Sequence, residues 1–362
     1  MGSLTVVTRL FVYLASLPIL YLITTGIIRD IVLYLHALGL AWLLFSFTPS
    51  STTQPNGGQN DMYDLRHVTF NLEIPPKTLW FNMGLWYDDD NEQDNKNNKE
   101  NEKHMKYSHA CERLVEAVIQ QMEMKHSSRV LDVGYGCGDS CFLLADRYGC
   151  HVTGLTNEKS QWSVSQQRLT SLPCKDQVQL VCASATDDDF TFTHNNSNND
   201  KTFYDHIICI DSAYHYLTRK KFLQTALTHL IPGGSLGLYD LTLHPQLLFN
   251  NNSVVKKWIV EFFGQSILGI PKENMITAEM YRDQLKTMGY DQVKVTTLCG
   301  DRVLGGLSRF IHRQYQQAAT WDILPPLGNR VFMMSSASLF GYLARKQWVV
   351  PVIVSAHKKK EE

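Results

Sequence analysis

The sequence has no excess of charge of either sign. Its 362 residues include 34 lysine and arginine side chains against 35 aspartate and glutamate side chains. Proteins that bind nucleic acid usually concentrate basic charge on one surface, because they must neutralise phosphates. The near balance therefore argues against a nucleic-acid partner.

The sequence also lacks cysteine patterns that bind metal or form redox pairs. Its eight cysteines include no CxxC pair and no His/Cys cluster at zinc spacing. Cys182 and Cys209 lie inside apolar runs, where a thiol behaves as a small apolar side chain. We therefore expect reduced cysteines, no metal site and a main domain that faces the cytosol.

Long uncharged apolar runs are confined to the first fifty residues. Residues 10–28 read LFVYLASLPILYLITTGII, and a second run follows at 31–47. A helix needs about 20 apolar residues to cross a bilayer core. We predict that residues 1–50 form an uncleaved membrane anchor, as one crossing with an interfacial helix or as a hairpin; the endoplasmic reticulum is a candidate membrane. The alternatives are a pair of buried core helices or a signal peptide.

Two polar segments separate this anchor from the rest of the chain. Residues 51–61, rich in Ser, Thr, Pro, Gly and Asn, are typical of a flexible linker. Residues 88–104 (DDDNEQDNKNNKENEKH) have almost no apolar side chains, so we expect a disordered loop there, within an N-terminal region at 62–124. The main domain is then expected at 125–362.

Short apolar strands alternate with helices through the rest of the sequence. The expected strands are RVLDV, HVTGL, VQLVCA, YDHIICID, SLGLYDL, DQVKVTTL and WVVPVIVSA. Helical patterns at 107–124, 139–148, 158–171 and 219–230 separate the earlier strands, and the tripeptide PGG at 232–234 is expected to be a turn. This alternation is typical of a doubly wound α/β fold with mostly parallel strands.

The stretch LDVGYGCGDS lies where the first strand turns into a helix, the place at which such sheets bind ligands. Gly134, Gly136 and Gly138 would let a ligand approach the backbone closely. The spacing GxGxG differs from the dinucleotide fingerprint GxGxxG. That fingerprint also requires an acidic residue about 20 positions later, where this chain has neutral Thr156. A pyrophosphate cofactor is therefore the weaker alternative.

Four motifs in order resemble class I S-adenosylmethionine-dependent methyltransferases. They are VLDVGYGCG, VTGLTNEKSQ, YDHIICIDSAYHYL and LIPGGSLGLYDL, and the resemblance extends from about Met83 to the last strand. It implies S-adenosyl-L-methionine as cofactor and a Rossmann-like sheet of seven mostly parallel strands. Helical insertions at about 246–290 and 302–345 would cap the substrate pocket. The similarity is strongest to the small-molecule and lipid subgroup that methylates sterols, tocopherols, quinones and natural products.

The resemblance also implies which residues contact the cofactor. Asp132, Gly134, Tyr135, Gly136 and Gly138 would form the loop beneath its methionine part. Thr156 and Gln161 would contact the ribose, although Thr156 alternatively caps the following helix.

Further contacts are implied by the later motifs. Ala183 and Ser184 would face the adenine, with Asp187 as a further candidate. Asp211 would lie beside the methionine part, and Trp86 and Tyr87 would form a lid, unless these aromatic side chains are plain core.

Methyl transfer from a sulfonium requires an aligned nucleophile and often a base. The base candidate is His215 in DSAYHYL, with an imidazole near its ordinary pKa, and Tyr214 is a second catalytic candidate. The alternative for His215 is a packed loop residue. Cyclopropane synthase relatives normally place a glutamate before this histidine; the chain has Ala213 and Tyr214 there, which disfavours cyclopropanation.

We therefore expect O- or C-methylation of a hydrophobic small molecule at a membrane. Apolar segments in the insertions, such as WIVEFFGQSILGI, fit an acceptor that partitions into the bilayer. A second hypothesis is N-methylation of a phospholipid head group or its precursor, which would favour a polar pocket with acidic residues. A third is a catalytically silent binding or scaffold protein that keeps the fold.

Overall fold

The structure is a computed structural model that describes residues 77–87, 105–186, 203–249, 254–320 and 325–360. The predicted anchor at 1–50, the linker at 51–61 and the Asn-rich segment at 88–104 lie outside these residues. Within the described ranges, no helix is both long enough and apolar enough to span a bilayer.

A seven-stranded sheet forms the centre of the molecule, as the strand pattern predicts. Its strands are β1 (Arg129–Val133), β2 (His151–Thr156), β3 (Val178–Cys182), β4 (Tyr204–Ile210), β5 (Leu230–Leu243), β6 (Tyr290–Thr297) and β7 (Val349–Lys358). They lie in the order β3-β2-β1-β4-β5-β7-β6. The strands β3, β2, β1, β4 and β5 are parallel, and β7 runs antiparallel to both β5 and β6. The expectation of a mostly parallel sheet is therefore confirmed.

The described part of the chain contains nine α-helices in addition to this sheet. They are α1 (Tyr107–Gln121), α2 (Asp139–Tyr148), α3 (Lys159–Leu169), α4 (Arg219–His229), α5 (Pro245–Phe249), α6 (Val254–Ser266), α7 (Ala278–Met288), α8 (Gly306–Thr320) and α9 (Leu327–Lys346). The helices predicted at 107–124, 139–148, 158–171 and 219–230 correspond to the first four. A π-helical turn, Asp301–Gly305, leads directly into α8.

Two apolar clusters, one on each face of the sheet, explain why the central strands read as nearly continuous apolar runs. One cluster includes Leu114 of α1 and Leu144 of α2, and the other includes Phe222 of α4 and Leu285 of α7; all four side chains are fully buried. Helices cover both faces of the sheet, so side chains on either face are buried away from water. Both faces therefore favour apolar residues.

The PGG tripeptide differs from its expected role as a simple turn. It lies inside β5 as a bulge: Leu230 pairs with Tyr204, and regular pairing with β4 resumes at Ser235 opposite His206. Proline cannot donate a backbone hydrogen bond to the ladder, and Gly233 has a φ of +78°. The local signal for irregular backbone was right, but the pairing on both sides makes it part of a strand.

The close packing at Gly154, in the middle of β2, generates a stability prediction. A Cβ at this position would lie 2.8 Å from Cys141 Sγ, 2.8 Å from a Tyr135 ring carbon and 2.9 Å from a Leu180 methyl group. We expect Gly154→Ala to lower the free energy of unfolding by about 2 kcal/mol, because overpacking a closed core forces neighbours to shift. Urea denaturation followed by circular dichroism measures this change.

Gly300→Ala is the matched control. Gly300 has right-handed helical backbone, and a Cβ there would approach no atom closer than 3.6 Å. We expect a change within about 0.5 kcal/mol. Equal destabilisation by the two substitutions would contradict the packing argument.

Candidate active site

A cavity of about 620 Å³ lies at the carboxyl edge of the parallel strands. This volume is within the range of small-molecule sites, roughly 300–1,000 Å³. The loops that follow β1, β2, β3 and β4 all contribute to its wall, since parallel strands end at the same edge. Nine predicted site residues line it: Gly134, Gly136, Thr156, Gln161, Ala183, Ser184, Asp211, Tyr214 and His215.

The glycine loop after β1 brings backbone directly to the cavity. Gly134 and Gly136 have φ values of +78° and +62°, which side chains disfavour, and the amide of Gly134 donates to the carbonyl of Leu155 at 2.7 Å. A Cβ on Gly136 would lie 3.0 Å from Cβ of Phe81. The loop is therefore tied to the end of β2, and a side chain at Gly136 would press on Phe81, which also lines the cavity.

Three further residues of the predicted loop lie behind the cavity wall. Asp132 is buried; its Oδ2 accepts hydrogen bonds from Ser140 Oγ at 2.5 Å and from Cys141 Sγ at 3.3 Å. Burial raises the pKa of Asp132 to about 6. The Tyr135 hydroxyl pairs with a serine of α3 at 3.3 Å, and Gly138, with a φ of +100°, begins α2. These residues shape the loop without lining the cavity.

A polar wall forms at the end of β2. The Thr156 hydroxyl donates to Gln161 Oε1 at 3.2 Å and accepts the backbone N–H of Glu158 at 3.2 Å. The geometry is therefore compatible with both predicted roles of Thr156. Its hydroxyl oxygen accepts a backbone N–H at the start of α3, and its side chain lines the cavity. Glu158 also lines the cavity and was not among the predicted site residues. The sequence signal that could have found it is an acidic residue two positions after Thr156, the last residue of β2.

The wall after β3 is short and uncharged in its described part. Ala183 and Ser184, for which adenine contacts were predicted, line the cavity, and Ser184 Oγ is 3.0 Å from Thr186 Oγ1. Asp187 lies outside the described residues.

Asp211 follows β4 and joins two parts of the wall. Its Oδ1 accepts the Tyr214 hydroxyl at 2.7 Å, and its Oδ2 accepts the backbone N–H of Met83 at 2.8 Å. Burial raises the pKa of this carboxyl to about 7, although both hydrogen bonds oppose the shift. Near neutral pH the carboxyl is therefore poised to respond to a nearby charge.

His215 lines the same cavity and is held by the segment between α6 and α7. Its Nδ1 lies 2.8 Å from the carbonyl oxygen of Gly269. A carbonyl can only accept, so Nδ1 carries the proton and Nε2 carries the lone pair. Burial lowers the pKa of His215 to about 4 instead of leaving it near its ordinary value. The imidazole is therefore neutral at physiological pH.

The predicted lid residues Trp86 and Tyr87 do not line the cavity. Trp86 is fully buried against Phe310, with ring centroids 5.0 Å apart, and its indole donates to the carbonyl of Met83 at 3.0 Å. The Tyr87 hydroxyl donates to Asp301 at 2.7 Å. Trp86 is therefore a core side chain, and Tyr87 joins this segment to the π-helical turn.

The residues that do cover the cavity lie a few positions upstream of these aromatics. Phe81, Asn82 and Met83 line it, together with Tyr107, whose hydroxyl donates to the carbonyl of Asn82 at 2.7 Å. The sequence indicated a covering segment, but the hydrogen bonds of Asn82 and Met83 decide which of its side chains face inward.

Comparison with known proteins matches a region that supplies part of the cavity lining. Residues 130–234 match the family described as a methyltransferase domain. This region of the chain is therefore similar to a methyltransferase domain. The cofactor that this similarity implies is S-adenosylmethionine. The Gly134 and Gly136 backbone, the Thr156 and Gln161 side chains and the Asp211 carboxyl, for which cofactor contacts were predicted, line one cavity.

Two curated relatives are O-methyltransferases. Erythromycin 3''-O-methyltransferase of Saccharopolyspora erythraea is 28% identical over 190 residues, which cover 52% of this chain and 59% of the relative. O-methyltransferase rstn1 of Aspergillus nomiae is 31% identical over 134 residues, which cover 37% of this chain and 56% of the relative. The chain thus spans a little more than half the length of these relatives.

A solved structure shows the same fold. Mycolic acid cyclopropane synthase CmaA1, complexed with SAH and CTAB, superposes with a TM-score of 0.60 at 16% identity, over 82% of this chain and 95% of that chain. At this identity the likeness establishes the fold alone.

Gly136→Ala tests whether the glycine loop receives the cofactor. We expect S-adenosylhomocysteine to bind at least about tenfold more weakly, because a Cβ closes the approach to the backbone. Isothermal calorimetry on the full-length protein in detergent measures the affinity.

Gly149→Ala is the matched control, because Gly149 has a nearly identical φ of +64° but lies at the end of α2, outside the cavity lining. Both variants should lose similar stability, about 1–2 kcal/mol. Retained affinity in Gly136→Ala would place the cofactor elsewhere.

The raised pKa of Asp211 predicts a pH-dependent affinity. The carboxyl is about half protonated at pH 7 without cofactor, and the positive α-ammonium group of the cofactor favours the ionised form. S-adenosylhomocysteine should therefore bind about tenfold more weakly at pH 6 than at pH 8, following the ionised fraction. Calorimetric titration across this range gives the profile, and Asp211→Asn should bind weakly with a flat profile. The same slope in Asp211→Asn would assign the pH dependence to another group.

Proposed function

We propose that the full chain transfers a methyl group from S-adenosylmethionine to oxygen or carbon of an uncharged, hydrophobic small molecule. The observation that carries this proposal is that two groups of cavity-lining side chains come from different elements. We call the polar side chains from the loops of the sheet the polar end, and the mostly apolar side chains from the later helices the apolar end. The carboxylates that line the cavity, Glu158 and Asp211, belong to loops at the carboxyl edge of the sheet. No lysine or arginine lines it among the described residues.

The apolar end is built from the helices that follow the sheet core. One face of α9 supplies Phe332, Ser336, Leu339, Phe340 and Leu343, and the α8 region supplies Leu304 and Leu307. The spacing of the α9 residues, four, three, one and three, keeps them on one side of the helix. We call this surface, together with Ile267 and Leu268, the acceptor wall.

The acceptor wall favours an apolar substrate over a charged head group. Burying a phosphate or an ammonium group without a partner of opposite charge is costly, and the described part of this wall offers no ionic partner. N-methylation of a phospholipid head group is therefore the weaker hypothesis. Binding of a hydrophobic molecule would remove apolar area from water on both partners, worth about 25 cal/mol per Å².

His215 supports an oxygen acceptor. Its neutral imidazole, with the proton on Nδ1, leaves Nε2 able to accept a hydrogen bond from a hydroxyl group. A histidine with a pKa of about 4 is a weak base, so it orients the hydroxyl and receives its proton as the new carbon–oxygen bond forms. The displaced product is S-adenosylhomocysteine.

The predicted anchor at 1–50 would complete this function by holding the enzyme at a membrane. Lipophilic acceptors concentrate in the bilayer, so an enzyme tethered there meets them at higher local concentration. We propose a cytosol-facing catalytic domain, with the endoplasmic reticulum as a candidate membrane.

Ser336→Phe tests the acceptor wall and the proposed reaction together. With methyl-labelled S-adenosylmethionine and fractionated lipid extracts, the full-length protein should label a neutral, lipophilic product. Phenylalanine at this small position fills the apolar end, so labelling should fall at least about tenfold while affinity for S-adenosylhomocysteine stays within about threefold.

Ser338→Phe makes the same change two residues along, at an exposed position of α9 that does not line the cavity. Its activity should match that of the unaltered protein. Label that appears only in charged head groups would support the N-methylation hypothesis. Cofactor binding with no labelled product from any fraction would support a silent binding protein.

A further inference from the structure

The segment that carries Tyr214 and His215 has little secondary structure of its own. It forms a single 3₁₀ turn, Ala213–His215, between the end of β4 and the start of α4. We call residues 213–218 the His215 loop. Loops with few contacts open more easily than packed strands and helices, so contacts from other segments matter for the position of this loop.

Asn274 supplies these contacts from the facing turn, Lys272–Asn274. Its side chain is buried, with 2% of its surface exposed. Nδ2 donates to the carbonyl of Tyr214 at 3.0 Å and to the carbonyl of Tyr216 at 2.7 Å. Oδ1 accepts the backbone N–H of Arg219 at 3.0 Å. One amide thus binds the backbone on both sides of His215 and uses both of its N–H donors.

The sheet in turn holds Asn274 in place. Arg219 Nη2 donates to the Asn274 carbonyl at 2.9 Å, and Arg219 Nη1 pairs with Asp240 of β5 at 3.1 Å. The Tyr281 hydroxyl donates to the same carboxylate at 2.8 Å. Arg219 and Asp240 are 1% and 0% exposed. The Asn274 amide therefore connects the His215 loop, through Arg219 and Asp240, to the central strand β5.

A second link joins the same two segments on the cavity side. His215 Nδ1 donates to the carbonyl of Gly269, five residues before Asn274. The direction of the ring depends on this bond and on the position of the loop backbone that carries it. The Tyr214 hydroxyl ties the loop to Asp211, and Asn274 holds its backbone carbonyls from the facing turn.

We propose that Asn274 is a positioning residue for methyl transfer, which sets where the His215 ring lies in the cavity by holding the carbonyls of Tyr214 and Tyr216. The inference rests on the proposed function and assigns to it a residue that does not line the cavity. Its removal would leave the carbonyls of Tyr214 and Tyr216 without the Nδ2 donor and would weaken the attachment of the loop.

Asn274→Ala in the full-length protein is the test, with two readouts. Hydrogen exchange followed by mass spectrometry should show amides of residues 211–218 exchanging at least about tenfold faster, with the central strands unchanged. The kcat for the lipophilic acceptor should fall at least about tenfold, because misplaced groups lose near-attack geometry. The affinity for S-adenosylhomocysteine should change less than about threefold.

Thr277→Ala is the matched control for a purely structural effect. Thr277 is three residues away and 3% exposed, and its hydroxyl oxygen accepts the Met280 amide at 3.2 Å to begin α7. This variant should lose stability but keep the exchange of residues 211–218 and the kcat per folded molecule. Asn274→Asp keeps the size and the acceptor for Arg219 and should reproduce the loss of kcat if the alanine variant folds poorly.

Each outcome decides the proposal. Faster loop exchange together with a selective loss of kcat supports it. A kcat that is unchanged, or one that falls equally in Thr277→Ala, overturns it, as does loop exchange that does not change. If the unaltered protein binds cofactor but labels no acceptor, the proposed function fails first, and the positioning role fails with it, even where loop exchange behaves as expected.

Discussion

The parallel alignment of β2, β1, β4 and β5 is the constraint on which the rest of the structure depends. Parallel strands require a crossover between each pair, and every crossover here leaves its strand at the same edge. The hydrogen bond from the Gly134 amide to the Leu155 carbonyl extends this alignment beyond the strands themselves. Loop residues from Gly134 to Leu217, which are far apart in sequence, therefore line one cavity.

Burial then shifts the pKa values of ionisable groups near the carboxyl ends of these strands. Asp132, Asp211 and His215 all have pKa values displaced toward their neutral forms, because removal from water penalises charge. The three groups differ in what compensates for burial. Asp132 organises its own loop, Asp211 accepts from both the covering segment and the His215 loop, and His215 donates to the segment between α6 and α7.

The two ends of the cavity are formed by different parts of the fold. Its polar end is made by loops of the sheet, whose positions are common to every doubly wound fold of this kind. Its apolar end is made by α9 and the π-helical turn, which are additions to the sheet and pack against each other. The same sheet can therefore serve different acceptors when these additions differ, and cofactor use is easier to assign than substrate.

Sequence patterns determined much of this protein. The seven strands, the first four helices and the glycine loop follow from local periodicity and backbone preference, and those signals act over a few residues. Nine of the predicted site residues lie on one cavity because strand ends are visible in the sequence, and the topology brings them together.

Only the tertiary structure decided which neighbouring side chains face inward. The family resemblance implied that Trp86 is a lid residue, but contacts with Phe310 and with the Met83 carbonyl place it in the core. Phe81 to Met83 line the cavity instead. Asn274 carried no sequence signal at all, because its role comes from three backbone groups about sixty residues away. Such long-range hydrogen bonds and pKa shifts depend on packing, which local patterns do not encode.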